Sequence, residues 1–468
     1  MLFVLQYILI MKKDITAKKS DDTLDMTSGS PARIIIRFAL PIFLSQVFQQ
    51  LYNTADTFIV GRFLGTEALA AVSSSGNLIF MLISFVMGAS MGAGVVISRF
   101  FGAGDKDSVS KAIHTNVLVG LLSSVFMTAF GVLLTPTFLR WMNVDAAVMP
   151  QAVEYFRYYF WGVSTIIIYN VLKGIMNAIG DSKRPLYYLI VSSLLNIGLD
   201  CLFIGLFRWG VWAAAVATVI SQLTSCILCL FHLMQKGHIY TIEPKKLRIH
   251  KRALILMVRY GLPSGIQNSV IGFANVIVQS QINTFGMMAM AAFGTYAKIE
   301  GFAFLPIMSF TMAITTFVSQ NLGAGKKDRA KKGATFGILS AVAIAELIGV
   351  LIFFLAPVLI GLFDSTPEVV AFGTTQAHIE SLFYGMLAFA HAVAAVCRGA
   401  GKAFVPMTIM LVVWCVFRIA YIYAVMYLFG KIDFIYSAYP ITWGISGIIY
   451  LIYYLKSDWA NGFDSRPV

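Results

Sequence analysis

Long apolar runs, broken at intervals by Gly, Pro and charged residues, fill the chain from Phe38 almost to its C-terminal end. Each run is at least as long as the helix of about 20 residues that crosses a bilayer. Helices satisfy their backbone hydrogen bonds internally, as lipid requires. The pattern predicts an all-α integral membrane protein with twelve spans, at 34–60, 68–98, 112–136, 154–175, 185–206, 211–235, 255–284, 289–320, 333–362, 370–396, 403–428 and 434–455.

The division between the seventh and eighth spans depends on a long uncharged stretch. Tyr260 to Ala297 contains no Asp, Glu, Lys or Arg. A single straight helix of that length would extend beyond a hydrocarbon core of about 30 Å. We therefore place a break at Phe285-Gly286.

The chain contains an internal repeat. Three landmarks recur at an offset of 221 or 222 residues, namely Arg37-Phe-Ala-Leu-Pro41 with Arg259-Tyr-Gly-Leu-Pro263, the Gly-Ala-Gly loops at 102–104 and 323–325, and Gly180 to Pro185 with Gly401 to Pro406. The repeat predicts two pseudo-symmetric six-helix lobes, 31–240 and 255–456, joined by a basic cytoplasmic linker at 241–254 and flanked by cytoplasmic tails at 1–30 and 457–468. Because each lobe has an even number of helices, both lobes enter the membrane in the same orientation. Parallel repeats of this kind are typical of transporters.

Composition and charge support this interpretation. Only 12% of the residues are charged and 58% are hydrophobic, with a mean hydropathy of +0.79, whereas soluble domains carry about 25% charged residues. The net charge of +13 would suggest nucleic acid in a soluble protein. Here Lys and Arg gather in alternate connections, as cytoplasmic loops do. We expect a multi-pass protein of the cell (plasma or inner) membrane with both termini cytoplasmic and no nucleic-acid partner.

The N-terminal tail offers one motif. Residues 1–11 are apolar but too short to span, so they are either a peripheral anchor or the product of an upstream start codon. Asp21-Asp22-Thr-Leu-Asp25 resembles half of the paired motif with which membrane transferases hold magnesium diphosphate. Because it occurs once, outside every span, we interpret it as a solvated charge run. We expect no cofactor and no resident metal.

Two carboxylates lie inside the apolar runs of the first half. Asp56 and Asp200 fall in spans 1 and 5, where a charged residue costs about 2.5–3.5 kcal/mol at the helix centre. Asn196 shares a helix face with Asp200, and Thr218 follows in span 6. These oxygens suit a proton or a hard cation such as sodium. Two alternatives remain: Asp56 could pair with Arg62 at the helix end, and Asp200 could hydrogen-bond between helices.

The second half offers weaker candidates. Span 7 has no carboxylate after Pro263, only amides that include Gln267 and Asn268. In span 8, Glu300 and Lys298 could form an internally neutralised pair. The sequence does not indicate which way four isolated ionisable side chains point, namely Glu346, Glu380, His391 and Arg418.

The chain resembles the multidrug and toxic compound extrusion (MATE) transporters from about Ser30 to Lys456. The resemblance is carried by Leu40-Pro41, Asp56-Thr57, the two Gly-Ala-Gly loops, Asn177-Ala-Ile-Gly180-Asp181 and Lys298-Ile-Glu300. It implies a V-shaped pair of six-helix lobes and cation-driven export of amphiphilic, often cationic compounds.

The resemblance also assigns residues. It implies a cation-coupling site at Asp56, Asn196, Asp200 and Thr218, with Gln49 and Tyr52 nearby, and helix bending at Pro41. The residues themselves add Pro263 as a second bending point, substrate or relay candidates at Gln49, Tyr52, Asn170 and Asn177, and second-lobe candidates at Gln267, Asn268 and Glu300. NorM-type members carry acidic residues in spans 7 and 10. This chain has none in span 7 and Leu387-Ala388-Phe389 in span 10, which places it closer to the DinF-type branch.

We therefore expect a monomeric secondary active multidrug efflux antiporter, not an enzyme, that exports amphiphilic small molecules by alternating access in exchange for H+ or Na+. Two alternatives stay open. A lipid-linked precursor flippase of the same superfamily should have a strongly cationic cavity, but Arg418 and Lys298 are the interior bases on offer. A membrane-embedded transferase would need a paired diphosphate motif at the span ends.

Overall fold

A computed structural model describes residues 23–65, 68, 88, 90–141 and 149–461. Most of the predicted second span lies outside this part. Residues 1–11 lie outside it as well, so their interpretation stays a prediction. No strand occurs within it. The helices are α1 Pro31–Leu64, α2 (described over 90–102), α3 Lys106–Trp141, α4 Met149–Ala178, α5 Lys183–Leu206, α6 Trp212–Leu233, α7 Lys251–Asn283, α8 Met287–Gly323, α9 Lys327–Gly361, α10 Pro367–Gly399, α11 Phe404–Leu428 and α12 Ile432–Lys456.

These helices match the predicted spans in order, and their ends differ by a few residues. Within the described part of the chain, ten are long and apolar enough to cross a membrane. The helices α3 and α9 begin at Lys106 and Lys327, about a turn and a half before the predicted apolar runs, because a helix continues into polar residues past the lipid. The predicted break at Gly286 is confirmed: this residue has a φ of +95° between α7 and α8.

The repeat is present in the backbone. Gly104 and Gly325 have φ values of +70° and +74°, and Gly180 and Gly401 have values of +91° and +75°. Only glycine adopts this region without strain. Each pair is separated by the 221 residues that the motifs predicted. The two lobes therefore reproduce the same turns after their second and fourth helices.

Three helices depart from regular α-geometry beside an ionisable residue. A π-helical turn, Cys201–Leu206, begins directly after Asp200 in α5. A second, Leu411–Phe417, ends directly before Arg418 in α11. In α10 a 3-10 turn, Ser381–Phe383, follows Glu380. Such interruptions are frequent at functional sites.

The lobes meet on the side of the bundle where both ends of the described chain lie, which we call the terminus side. There α2 packs on α7 through facing glycines. A Cβ on Gly92 would lie 2.1 Å from the Gly261 nitrogen, and one on Gly88 would lie 2.6 Å from the Gly265 Cα. Backbones approach this closely only where side chains are absent.

A second contact on the terminus side is reciprocal. A Cβ on Gly102 would lie 2.0 Å from the carbonyl oxygen of Gln320, and one on Gly323 would lie 2.1 Å from that of Arg99. The repeat relates these two contacts. The Gln320 amide also donates to the Ala178 carbonyl of the first lobe at 2.8 Å. The terminus side is therefore closed in this conformation.

Candidate functional site

A polar crevice lies in the first lobe between α1, α5 and α6. Its lining comprises Tyr52, Ser192, Ser193, Asn196, Thr218, Ser221 and Gln222. The empty space among them totals about 160 Å³, including the space at its open mouth. Pockets for drug-sized ligands are about 300–1,000 Å³. The crevice has the scale of an ion or a proton, not of a drug.

Asp56 of α1 and Asp200 of α5 meet beside this crevice. Their carboxyl groups are close enough to interact with each other. Asp200 is fully buried, and neither its oxygens nor the Asp56 Oδ1 receive a hydrogen bond from the described residues. Asp56 therefore faces Asp200, and Arg62, six residues further along α1, is exposed.

Two carboxylates held this close are unstable without a positive charge between them. Unit charges about 4 Å apart near protein repel by roughly 4 kcal/mol at an effective dielectric of about 20. A shared proton or a bound cation removes this cost.

Tyr52 links α1 to the rest of the crevice. Its hydroxyl accepts a hydrogen bond from the Gln49 amide at 2.6 Å and a longer one from the Gln222 amide of α6 at 3.5 Å. Tyr52 also interacts electrostatically with Asp56 and Asp200, whereas Gln49 reaches them only through Tyr52. The substrate or relay role of both residues stays a prediction.

The crevice is rich in polar atoms that lack a partner. Both side-chain atoms of the Asn196 amide, the hydroxyls of Ser193 and Ser221, and the Gln222 Oε1 are buried with no hydrogen bond among the described residues. An unpaired buried polar group costs about 1–3 kcal/mol. Such groups in a native fold call for an explanation, for which a bound ion is one.

Two predicted residues lie outside the crevice lining. Asn170 of α4 donates its amide to the Ile166 carbonyl of its own helix at 2.8 Å. Asn177 lies near the C-terminal end of α4, next to Ala178, whose carbonyl accepts from Gln320 of the second lobe.

Pro41 and Pro263 lie inside α1 and α7, and both are buried. Each lacks the backbone N–H that would bond to the preceding turn, which permits bending at that point. The bending itself stays a prediction.

The second lobe contains an ionic cluster that the sequence did not assemble. Arg418 of α11 is 2% exposed, and its guanidinium donates to the Thr442 hydroxyl at 2.7 and 3.2 Å. The rings of Trp414 and Tyr439 lie 5.3 and 4.5 Å away, at cation–π distance. Arg418 is thereby held in an aromatic box.

Two carboxyl groups stand near Arg418. Glu300 of α8 and Glu380 of α10 interact electrostatically with it and with each other. Glu380 is fully buried, with one oxygen accepting from the Gln376 amide at 3.0 Å and the other unpaired.

The interpretation of Glu300 and Lys298 as a pair is wrong. Lys298 is exposed and lies over the Phe363 ring at 5.6 Å. Residues two apart on a helix do not face each other, so Glu300 faces inward while Lys298 faces outward. This spacing was the signal that could have excluded the pair.

The other second-lobe candidates are amides of α7. The Gln267 amide donates to the Met410 sulfur at 2.8 Å, and its oxygen is unpaired. Asn268 is half-buried. Of the three candidates, Glu300 is the one that joins the charged cluster.

Comparison with known proteins gives consistent relatives. The MatE family profile matches twice, over residues 41–202 and 263–424, one match in each lobe. "Probable multidrug resistance protein YoeA" of Bacillus subtilis is 28% identical over 94% of this chain and 95% of its own length. The "FAD transporter" of Shewanella oneidensis is 24% identical over 77% of this chain and 81% of its own.

A solved structure shares the fold. A MOP superfamily transporter from Pyrococcus furiosus superposes with a TM-score of 0.87 at 23% identity, covering 93% of this chain and 98% of that one. The two profile matches begin at Pro41 and Pro263 and together cover more than half of the chain. The protein therefore belongs to the MatE family, whose members are membrane transporters and not enzymes.

Proposed function

We propose that this protein is a secondary active efflux antiporter that exports amphiphilic, often cationic compounds by alternating access, with protons as the coupling ion. The observation that carries the coupling proposal is the Asp56–Asp200 contact inside the first lobe. The names of the relatives support drug efflux as the transported process. The expected location is the cell membrane.

The geometry favours a proton over sodium. One proton shared between two carboxyl groups removes their repulsion without needing further ligands. A metal cation would need several oxygen ligands to replace its water. Neither carboxyl group belongs to the lining of the crevice, where the unpaired amide and hydroxyl oxygens lie. Sodium remains the competing outcome of the test.

In this mechanism the conformation closed on the terminus side holds the proton at Asp56 and Asp200. Proton binding and drug binding must favour different conformations, because a ligand with equal affinity for both shifts nothing. We infer that protonation of the pair lets α1 rearrange, so that drug leaves and the lobes reopen on the terminus side.

The flippase alternative loses support from the surroundings of its two candidate bases. Arg418 is enclosed by Trp414, Tyr439 and Thr442, and Lys298 lies on an exposed face beside Phe363. The Arg418 guanidinium is therefore already engaged by its own neighbours and is not free to hold a diphosphate. The lack of a carboxylate in α7 after Pro263 also supports the DinF-type branch.

Gradient-driven dye efflux from proteoliposomes tests this proposal. A pH gradient and a sodium gradient are imposed separately on the purified full-length protein. We expect efflux with the pH gradient alone. Efflux that needs sodium would replace the proton by Na+, and efflux with neither gradient would overturn coupled antiport.

A further inference from the structure

The eight described residues before α1 form a segment, 23–30, that we call the strap. It belongs to the predicted N-terminal tail, 1–30. Its Met26 is 1% exposed and is buried in the second-lobe core, in the same apolar cluster as Phe317 and Trp459. The strap therefore packs against the second lobe, although the helix that it leads into carries Asp56 of the first-lobe site.

Arg329, in the first turn of α9, binds the backbone of the strap. Its guanidinium donates to the Met26 carbonyl at 3.2 Å from two nitrogens, to the Ser28 carbonyl at 2.6 Å and to the Gly29 carbonyl at 2.5 Å. A planar guanidinium with several fixed donors suits this fork of acceptors, and an ammonium does not.

Two further side chains complete the clamp. The Lys326 ammonium donates to the Thr27 carbonyl at 2.8 Å, and the Asn321 amide donates to the Met26 carbonyl at 2.9 Å. Asp25 closes a turn by accepting from the Thr27 N–H at 2.8 Å. Partial burial raises the pKa of Asp25, but hydrogen bonds from Ser28 and Thr27 and the nearby Lys326 charge outweigh this and lower it.

The repeat shows that the lobe fold does not require this clamp. The first-lobe residues equivalent to Asn321, Lys326 and Arg329 are Phe100, Asp105 and Ser108. The backbone turn is the same in both lobes: the Asp105 N–H donates to the Phe100 carbonyl as the Lys326 N–H donates to the Asn321 carbonyl. The donors that hold the strap are therefore additions to the second lobe.

The other end of the strap reaches the first lobe. The Leu24 N–H donates to the Gly180 carbonyl at 3.3 Å, in the turn between α4 and α5. A Cβ on Gly180 would lie 2.4 Å from the Leu24 oxygen. The strap thus bridges both lobes on the terminus side, where they must separate if access alternates.

We propose that the strap is a latch: Arg329, Lys326 and Asn321 hold the start of α1 against the second lobe, stabilise closure of the terminus side, and set the rate at which that side opens. The role of the latch in transport rests on the proposed alternating access. The closed geometry that it stabilises is a property of the protein alone.

The test measures the distance between the lobes directly. Spin labels are placed on Lys106→Cys and Lys402→Cys, exposed terminus-side positions in different lobes, in the full-length protein freed of its five native cysteines. Pulsed electron resonance reports closed and open populations in nanodiscs. For Arg329→Ala we expect the open-to-closed ratio to rise about tenfold, as loss of charge-assisted hydrogen bonds implies, and for Arg329→Lys a smaller rise.

The matched control is Lys332→Ala. Lys332 is exposed in the first turns of α9 and makes no hydrogen bond or ion pair within the described residues. Removing Lys332 lowers the net charge by one, as removing Arg329 does. We therefore expect the same distances between the two spin labels as in the parent protein. An unchanged distribution in Arg329→Ala, or an equal shift in Lys332→Ala, would overturn the latch.

A crosslink tests the same proposal without weakening the fold. Ser28→Cys and Lys326→Cys, exposed positions on the strap and beside α9, are introduced into the cysteine-free protein without spin labels. A short bis-methanethiosulfonate joins them, each cysteine forming a disulfide as a sulfinate leaves, and the crosslink should stop dye efflux until reductant is added. Efflux that continues when crosslinking is complete would contradict the latch. Because the distances are measured without a gradient or drug, a failed latch is distinguishable from a failed coupling mechanism.

Discussion

The polar crevice of the first lobe has no chemical counterpart in the second lobe. The repeat relates its positions to positions on similar helices of the second lobe, where the side chains are different. Asn196, Asp200 and Thr218 correspond at an offset of 221 to Phe417, Tyr421 and Tyr439. Ser193 corresponds to Trp414, and Gln222 to Trp443. Both sets lie beside a π-helical turn, in α5 and α11.

The difference shows that the symmetry of the fold does not extend to the chemistry. The first lobe brings two carboxyl groups together among unpaired amides and hydroxyls. In the second lobe the equivalent positions are aromatic, and its carboxyl groups come from α8 and α10 instead, with Arg418 beside them. A positive charge already present there leaves less need for an incoming cation, so we assign coupling to the first lobe.

The largest effect should come from neutralising that pair. We expect Asp56→Asn or Asp200→Asn to reduce efflux driven by a pH gradient to the level of protein-free liposomes, because neither variant can exchange a proton at the pair. The matched second-lobe variant is Tyr421→Phe, at the position equivalent to Asp200, and it should retain efflux. Normal efflux in either Asn variant would remove the assignment.

The next effect concerns a feature that the lobes do share. Gly102→Ala and Gly323→Ala each place a methyl group about 2 Å from a backbone oxygen of the other lobe, so each should oppose closure of the terminus side. We expect both to slow efflux about tenfold and to a similar degree, since about 1.4 kcal/mol against closure corresponds to a factor of ten.

Gly94→Ala is the control for this pair, because a Cβ there meets no atom within 4 Å. It should transport at the parent rate. Strongly unequal effects of Gly102→Ala and Gly323→Ala would show that the closure, like the crevice, is asymmetric.

A smaller effect on transport is expected in the second-lobe cluster. Arg418→Gln leaves buried carboxyl groups without their neighbouring charge, which typically costs about 3 kcal/mol or more of stability. Thermal unfolding in detergent should show a lower Tm, while efflux per folded molecule falls only a few-fold. Adding Glu380→Gln should recover part of the Tm, whereas Lys431→Gln, at an exposed base, should change neither quantity.

The smallest effect separates two asparagines of the first lobe. The Asn170 amide is already bonded to its own helix, so Asn170→Ala should leave dye efflux within about twofold of the parent. The Asn196 amide lies in the crevice with no partner, and Asn196→Ala should slow efflux several-fold. The reverse order would place the relay on α4 instead.

Local and periodic features could be predicted from the sequence. The spans follow from apolar length, the two lobes from three motifs at one offset, and the break at Gly286 from the limit that bilayer thickness sets. Asp56, Asn196 and Asp200 could be selected because polar groups are costly in lipid. Helix ends were less accurate, as at Lys106 and Lys327, because helices continue past the lipid.

Contacts between distant segments could not be predicted. Glu380 and Arg418 lie on different helices, and no spacing rule indicates that they meet near Glu300. The strap was assigned to a polar tail because its acceptors are backbone carbonyls, which leave no mark in the side-chain pattern. The sequence could have shown that Lys298 and Glu300 point to different sides of α8, because residues two apart on a helix do not face each other.

Proton release on drug binding is the most direct test of coupling confined to the first lobe. Purified protein in weakly buffered detergent is titrated with a transported dye, and a pH indicator counts the protons. We predict about one proton per molecule for the parent and for Glu380→Gln, and none for Asp56→Asn or Asp200→Asn. Release that persists in Asp200→Asn and disappears in Glu380→Gln would contradict the account and place coupling in the second lobe.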